Sequence, residues 1–242
     1  MKTVNIKDKL KEINHPVESL SLGDFDMIAE YTAKRTRSPE SPLYHSVGSF
    51  YRANYERGLL VYSLVKEYKI MSFLEVGFGR GYSSICAAKA MSENGFGTIT
   101  TIDVKFEENH LNMLRQIFPQ EWMNRIEFLK GESKEILNNE EMKYRSYDMF
   151  YIDGAHDYES VKNDWEYAKD HFTKFVLFDD YDLPDKKKLA TDDKTIDCAR
   201  LIDEIEGYEK ELLVMDRRIF FDDRRIKDED IKAGQVLITN EI

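Results

Sequence analysis

The chain reads as an α/β fold built on a doubly wound, mostly parallel sheet, and three observations predict it. From residue 69 onward, short apolar runs of strand length alternate with helical stretches. Those runs are nearly continuous in apolar residues, the pattern of strands covered on both faces. A glycine-rich segment, Gly77 to Gly81, joins the first run to a helix, where a tight turn and close backbone approach are needed.

The elements follow in order. The first forty or so residues are polar and weakly patterned, with a short helix expected over Asp24 to Lys34 and a proline-bearing loop over Arg37 to Pro42. A helix is expected from Phe50 to Tyr68, because Tyr51, Tyr55, Leu59, Tyr62 and Val65 recur at helical steps. The strand runs are Ile70–Val76, Thr98–Val104, Ile126–Leu129, Asp148–Ile152 and Phe175–Phe178. Helices are expected between them over Ser83–Ala90, Glu107–Ile117, Lys134–Leu137 and Tyr158–Phe172. In the last, Tyr158, Val161, Trp165, Ala168 and Phe172 form one apolar stripe. Lys210–Met215, Arg218–Phe221 and Gln235–Thr239 read as strands with little helix between, hence an antiparallel hairpin at one edge of the sheet. The division expected is an N-terminal helical extension over 1–68 and a ligand-binding domain over 69–242.

Composition narrows the function classes. Hydrophobic content of 42% and charged content of 33% fit a soluble globular chain. A net charge of −11 argues against a nucleic-acid partner, which calls for a basic surface. The basic run Lys186–Lys188 reads as a solvated loop. Two cysteines, Cys86 and Cys198, without a paired motif suit a reduced cytoplasmic protein. No apolar stretch has the length of a signal core or a membrane span. The sequence leaves a homo-oligomer open.

The sharpest signal is Phe73-Leu74-Glu75-Val76-Gly77-Phe78-Gly79-Arg80-Gly81: a strand, three alternate glycines and then a helix. The free amides at that helix start can hold an anionic group. The next strand ends in Asp103, placed to accept hydrogen bonds from ribose hydroxyls. A dinucleotide fingerprint would put its third glycine at position 82, which is Tyr82.

The order E-x-G-x-G-x-G from Glu75 resembles motif I of the class I methyltransferases, which have a Rossmann-like fold. The resemblance implies S-adenosylmethionine as cofactor, held by Glu75, Gly77, Gly79, Gly81 and Asp103. It also places Glu132 and Ser133, after the third strand, beside the adenine.

Two further strands end in acids, at Asp153 and at Asp179-Asp180. If those strands are neighbours, the carboxylates converge and repel unless a cation sits between them. A hard divalent ion such as Mg²⁺ suits an all-oxygen site. The plain alternative is solvated strand ends and helix caps. IDGAHDYESVKND followed by FDDY resembles the catechol, macrocin and novobiocin-type O-methyltransferases and the cephalosporin-hydroxylase-like family. That resemblance implies Mg²⁺ on Asp153, Asp179 and Asp180.

His156 stands where catechol-type enzymes have lysine; it reads as a general base or as a packing residue at the next helix. His15, His45, His110 and His171 read as surface or packing residues, with a substrate-loop role as the alternative for His45. The expected reaction is Mg²⁺-dependent O-methylation of a small hydroxylated molecule, with Asp153 and His156 as the catalytic residues. A metal-independent N-, C- or O-methyltransferase and a non-catalytic binder of the cofactor are the alternatives. Specificity is expected in the N-terminal helices, the Asp182–Lys194 loop and the Asp216–Ala233 insertion; Tyr44, Tyr51 and Tyr55 read as pocket residues or, as an aromatic stripe more often is, as packing.

Overall fold

The computed structural model describes residues 1–13, 55–79, 81–181, 198–216 and 232–240. The expected helix over 24–34, the 37–42 loop, the Arg218–Phe221 strand, Tyr44, Tyr51, His15 and His45 lie outside the described residues, as do the 182–194 loop, most of the Asp216–Ala233 insertion and the side chains of Tyr55 and Asp180.

The core is one eight-stranded sheet in the order β1-β7-β8-β6-β5-β2-β3-β4. The strands are β1 Lys2–Asn5, β2 Ser72–Val76, β3 Thr98–Asp103, β4 Ile126–Lys130, β5 Tyr147–Ile152, β6 Phe172–Tyr181, β7 Glu209–Asp216 and β8 Lys232–Thr239. Only β8 runs against its neighbours; every other pairing is parallel. β2, β3 and β5 are buried along nearly their whole length, which explains their unbroken apolar character. β4 closes one edge and accordingly mixes buried and exposed residues.

Helices cover both faces. Tyr55–Glu67, Tyr82–Asn94 and Glu108–Ile117 pack into one hydrophobic cluster, which includes Leu60, Leu64, Ile85, Met91 and Leu114. Tyr158–His171 and Cys198–Glu204 pack on the other, through Val161, Trp165, Leu201 and Ile202. The Tyr158–His171 helix starts at Asp157, whose carboxylate accepts from the Ser160 amide at 3.0 Å, a side-chain cap on an otherwise unpaired donor.

Most boundaries shift by a few residues from the sequence reading, and two differences matter for the fold. Phe172 opens β6 instead of ending the preceding helix, because its buried ring packs equally well on Trp165 from the strand (6.3 Å between centroids). The antiparallel pair β7–β8 is followed on its outer side by β1, which runs parallel to β7 with Thr3 opposite Leu212. The short helix Ile6–Glu12 then buries Ile6 and Leu10, and Lys9 reaches Glu211 at 2.5 Å. A four-residue strand bounded by polar residues has no periodicity to read, so only its partner β7 defines it.

Candidate active site

The chain runs from β2 outward to β3 and β4, then crosses back to β5 and β6 on the other side of β2. The strand order therefore reverses between β2 and β5, and a crevice opens outside the carboxyl ends of the strands at such a point. A cleft of about 910 Å³ lies there, within the size range of small-ligand sites. Its walls are Val76, Gly77 and Gly79 after β2, Asp103 and Val104 after β3, Gly131 to Ser133 after β4, and Asp153 to Ala155 after β5. The helix Tyr158–His171 adds Ser160, Lys162 and Asn163.

The strand ends are tied together by ladder bonds that continue into the loops. The Gly77 amide donates to Ile102 O at 2.8 Å, and the Asp153 amide to Val76 O at 2.9 Å. Gly77 sits at φ +92°, and a methyl group there would fall 2.1 Å from the carbonyl oxygen of Asp153; only glycine lets the two loops touch. At Gly81, φ +85°, a methyl group would strike the Phe78 ring at 2.4 Å. That ring is buried against Phe106 and Phe128 and anchors the loop from below. At Gly79, by contrast, a methyl group would meet nothing within 4 Å: this glycine faces the open cleft.

Asp103 stands directly at the loop. Its Oδ2 accepts from the Gly79 amide at 3.0 Å and its Oδ1 from the Lys105 amide at 2.8 Å. Each oxygen retains a further lone pair for a ligand hydroxyl. Gly77, Gly79, Asp103, Glu132 and Ser133 thus lie along one cleft, whereas Gly81 is buried as the residue before the helix Tyr82–Asn94.

Glu75, grouped with them from the sequence, has a different placement. Its carboxylate is fully buried and accepts from Ser83 Oγ, from Ser84 Oγ at 2.5 Å and from Thr101 Oγ1 at 2.8 Å. It braces the glycine loop and the start of the following helix from inside. Burial pushes its carboxyl up to about 7, against the pull of the three hydroxyls.

The walls are electrostatically one-sided. Six carboxylates (Asp103, Glu132, Glu135, Asp153, Glu159 and Glu166) face two lysines, Lys134 and Lys162. Such a cleft favours a cationic ligand and disfavours a pyrophosphate.

The expected metal acids do not share one environment. β5 and β6 are indeed neighbours, with Ile152 opposite Phe178, so Asp153 and Asp179 follow at adjacent strand ends. Asp153 lines the cleft. The Asp179 side chain is fully buried, ion-paired with the Arg57 guanidinium from the helix Tyr55–Glu67. It also accepts from the Tyr151 hydroxyl at 3.0 Å, and Gln235 Nε2 donates to that same hydroxyl at 3.2 Å. Burial, followed by the charges of Asp179 and Asp153, raises the Tyr151 phenol well above its ordinary pKa. Among the described residues, no three His, Cys, Asp or Glu side chains gather to hold a metal. A carboxylate already paired with a guanidinium does not fit the role of Mg²⁺ ligand that the sequence pattern implied for Asp179.

His156, half-buried in the turn after β5, is outside the lining of this cleft. His171 stacks on Tyr167 with ring centroids 4.0 Å apart, as a packing residue does. The sequence reading did not single out Arg57, Tyr151 or Gln235. The available signals were a glycine after Arg57 inside a helix and a glutamine inside the apolar run of β8.

Residues 74–181 match a family described as a methyltransferase domain. Among curated proteins, none matches the chain by sequence. Solved structures of the same fold cover nearly the whole chain. An O-methyltransferase from Bacillus cereus in complex with S-adenosylhomocysteine is 16% identical, covers 97% of this chain and 98% of its own, and superposes with a TM-score of 0.58. TomG of Streptomyces achromogenes, an O-methyltransferase involved in tomaymycin synthesis and bound to S-adenosylmethionine, is 14% identical over 96% of each chain, with a TM-score of 0.58. PaMTH1, a methyltransferase of Podospora anserina bound to S-adenosylhomocysteine, is 15% identical over 96% and 93% of the two chains, with a TM-score of 0.55. The family match thus places a methyltransferase-domain stretch over residues 74–181, and the solved structures share the fold of the chain around it. No helix among the described residues is long and apolar enough to cross a membrane.

Proposed function

We propose that this protein transfers the methyl group of S-adenosylmethionine to a hydroxyl oxygen of a small molecule. The carrying observation is the acid-rich cleft at the β2–β5 crossover, with Asp103 hydrogen-bonded to Gly79 at its floor. A sulfonium nucleoside bears the positive charge that these walls attract. Its ribose would lie against Asp103, its amino-acid end over Gly77 and Gly79, and its adenine near Glu132 and Ser133. Solved structures of the same fold that bear the name O-methyltransferase favour oxygen as the acceptor atom.

The chemistry is an in-line displacement. The hydroxyl oxygen attacks the sulfonium methyl, the carbon–sulfur bond breaks with its electron pair passing to sulfur, and the hydroxyl proton leaves to a base. Asp153, on the cleft wall at the end of β5, orients the hydroxyl. His156, three residues along the same turn and outside the cleft lining, receives the proton through an intervening water. The protein contributes chiefly orientation and a shaped, charged cavity. No step is assigned to Mg²⁺, given the engagement of Asp179. A reducing cytoplasmic setting is supported by Cys86 and Cys198, which are buried in clusters on opposite faces of the sheet.

Titration calorimetry with S-adenosylhomocysteine tests the cofactor site. Wild type should bind, and Asp103→Asn should bind about 10- to 100-fold more weakly, the cost of a charged hydrogen-bond acceptor. Labelled methyl transfer to a panel of phenols and alcohols tests the acceptor. Methylation confined to amines, or equal binding by wild type and variant, would overturn the corresponding half of the reading.

A further inference from the structure

We infer that Arg57 is the resident cation of the acceptor rim, standing where the sequence pattern implies a divalent metal, so that this rim binds no Mg²⁺. The inference rests on the proposed site, because it concerns the strand ends beside which the acceptor would enter.

The rim at the ends of β5 and β6 must neutralise buried negative charge. Asp179 has a fully buried side chain and lies one strand from Asp153. A carboxylate so placed is stable only with a counter-cation or a proton. The structure supplies the cation from within. The Arg57 side chain is 12% exposed and its Nη1 donates to Asp179 Oδ2. Tyr151 donates to the same oxygen, and Gln235 holds Tyr151 in place. Mg²⁺ demands oxygen ligands at about 2.0–2.1 Å in a near-octahedral shell. One oxygen of that carboxylate, Oδ2, is already taken by a guanidinium and a phenol, and a second cation brought to the other oxygen would be repelled by Arg57.

Arg57 is delivered by packing far from β6 in the sequence. The residue after it is Gly58, where a methyl group would fall 2.4 Å from the Tyr82 hydroxyl at the head of the neighbouring helix. Close contact at Gly58 therefore brings the helix Tyr55–Glu67 against the glycine-loop helix and lays Arg57 over the end of β6. Arg57 is thus a positioning residue: it is the buried counter-ion that holds the Asp179 carboxylate at the end of β6.

Mn²⁺, followed by electron paramagnetic resonance, is the probe, with calorimetric binding of S-adenosylhomocysteine run in parallel on the same full-length samples. Wild type should bind the nucleoside and leave the Mn²⁺ signal that of the free ion up to millimolar metal. Arg57→Gln, which removes the charge but keeps hydrogen-bond donors, should gain Mn²⁺ affinity at least tenfold, and Arg57→Lys should exclude the ion as wild type does. Stoichiometric Mn²⁺ binding by wild type overturns the inference, as does a folded Arg57→Gln variant with no gain. The wild-type measurement stands whether or not that variant folds. Failure to bind the nucleoside counts instead against the cofactor site, so the two claims are judged separately.

Discussion

The two halves of the cleft region are built in opposite ways. On the cofactor side, the groups that meet are near in sequence: Gly79 finds Asp103, and Glu75 finds Ser83, Ser84 and Thr101. All belong to one strand–loop–helix–strand passage. On the acceptor side, Arg57 meets Asp179 across 122 residues, and Gln235 meets Tyr151 across 84. The first half is a local motif. The second exists only once the sheet is assembled. On the proposed function, binding of the donor and choice of the acceptor fall to separate parts of the structure.

The largest expected effect probes where the halves touch. Gly77→Ala forces a methyl group onto the Asp153 carbonyl and a non-glycine residue into a left-handed conformation. It should cost about 3–5 kcal/mol in urea unfolding and abolish binding of S-adenosylhomocysteine. Survival of both properties would mean that the loops are not held together as described.

Breaking the acceptor half alone should cost slightly less. Arg57→Met strands Asp179 without its partner and should lower stability by about 3 kcal/mol, because the remaining charge is buried. Arg57→Met combined with Asp179→Leu should regain most of that loss, while binding of S-adenosylhomocysteine changes little in either variant. A parallel loss of cofactor affinity would show that the two regions are coupled after all.

A pH experiment isolates the cofactor half. Glu75 is raised to about 7 by burial, so its contribution to stability is full below its unfolded pKa and is lost as pH rises through 7. Between pH 5 and pH 8 that loss amounts to about 2–3 kcal/mol. Asp164, raised by burial to about 6, adds to the slope in the same direction. Glu75→Gln, which cannot ionise, should flatten the difference in unfolding free energy between pH 5 and pH 8 by that amount. An unchanged slope would assign the titration elsewhere.

What the sequence by itself determined is whatever short-range chemistry enforces. The unbroken apolar runs of β2, β3 and β5 announced a covered parallel sheet, and the glycines after β2 announced a tight turn, which the structure forms with positive φ at Gly77, Gly79 and Gly81. Asp103 was legible because a strand carries its terminal residue to a known rim. Tertiary structure alone decided the rest. β1 has no pattern of its own and is a strand only because β7 offers it an edge. Glu75 looked like a ligand residue, yet the inward face of β2 turns it toward Thr101 and two serines. Asp179 looked like a metal acid, yet a helix more than a hundred residues earlier brings Arg57 to it. Periodicity records which face of an element is buried; it carries no information on which distant charge will be buried against it.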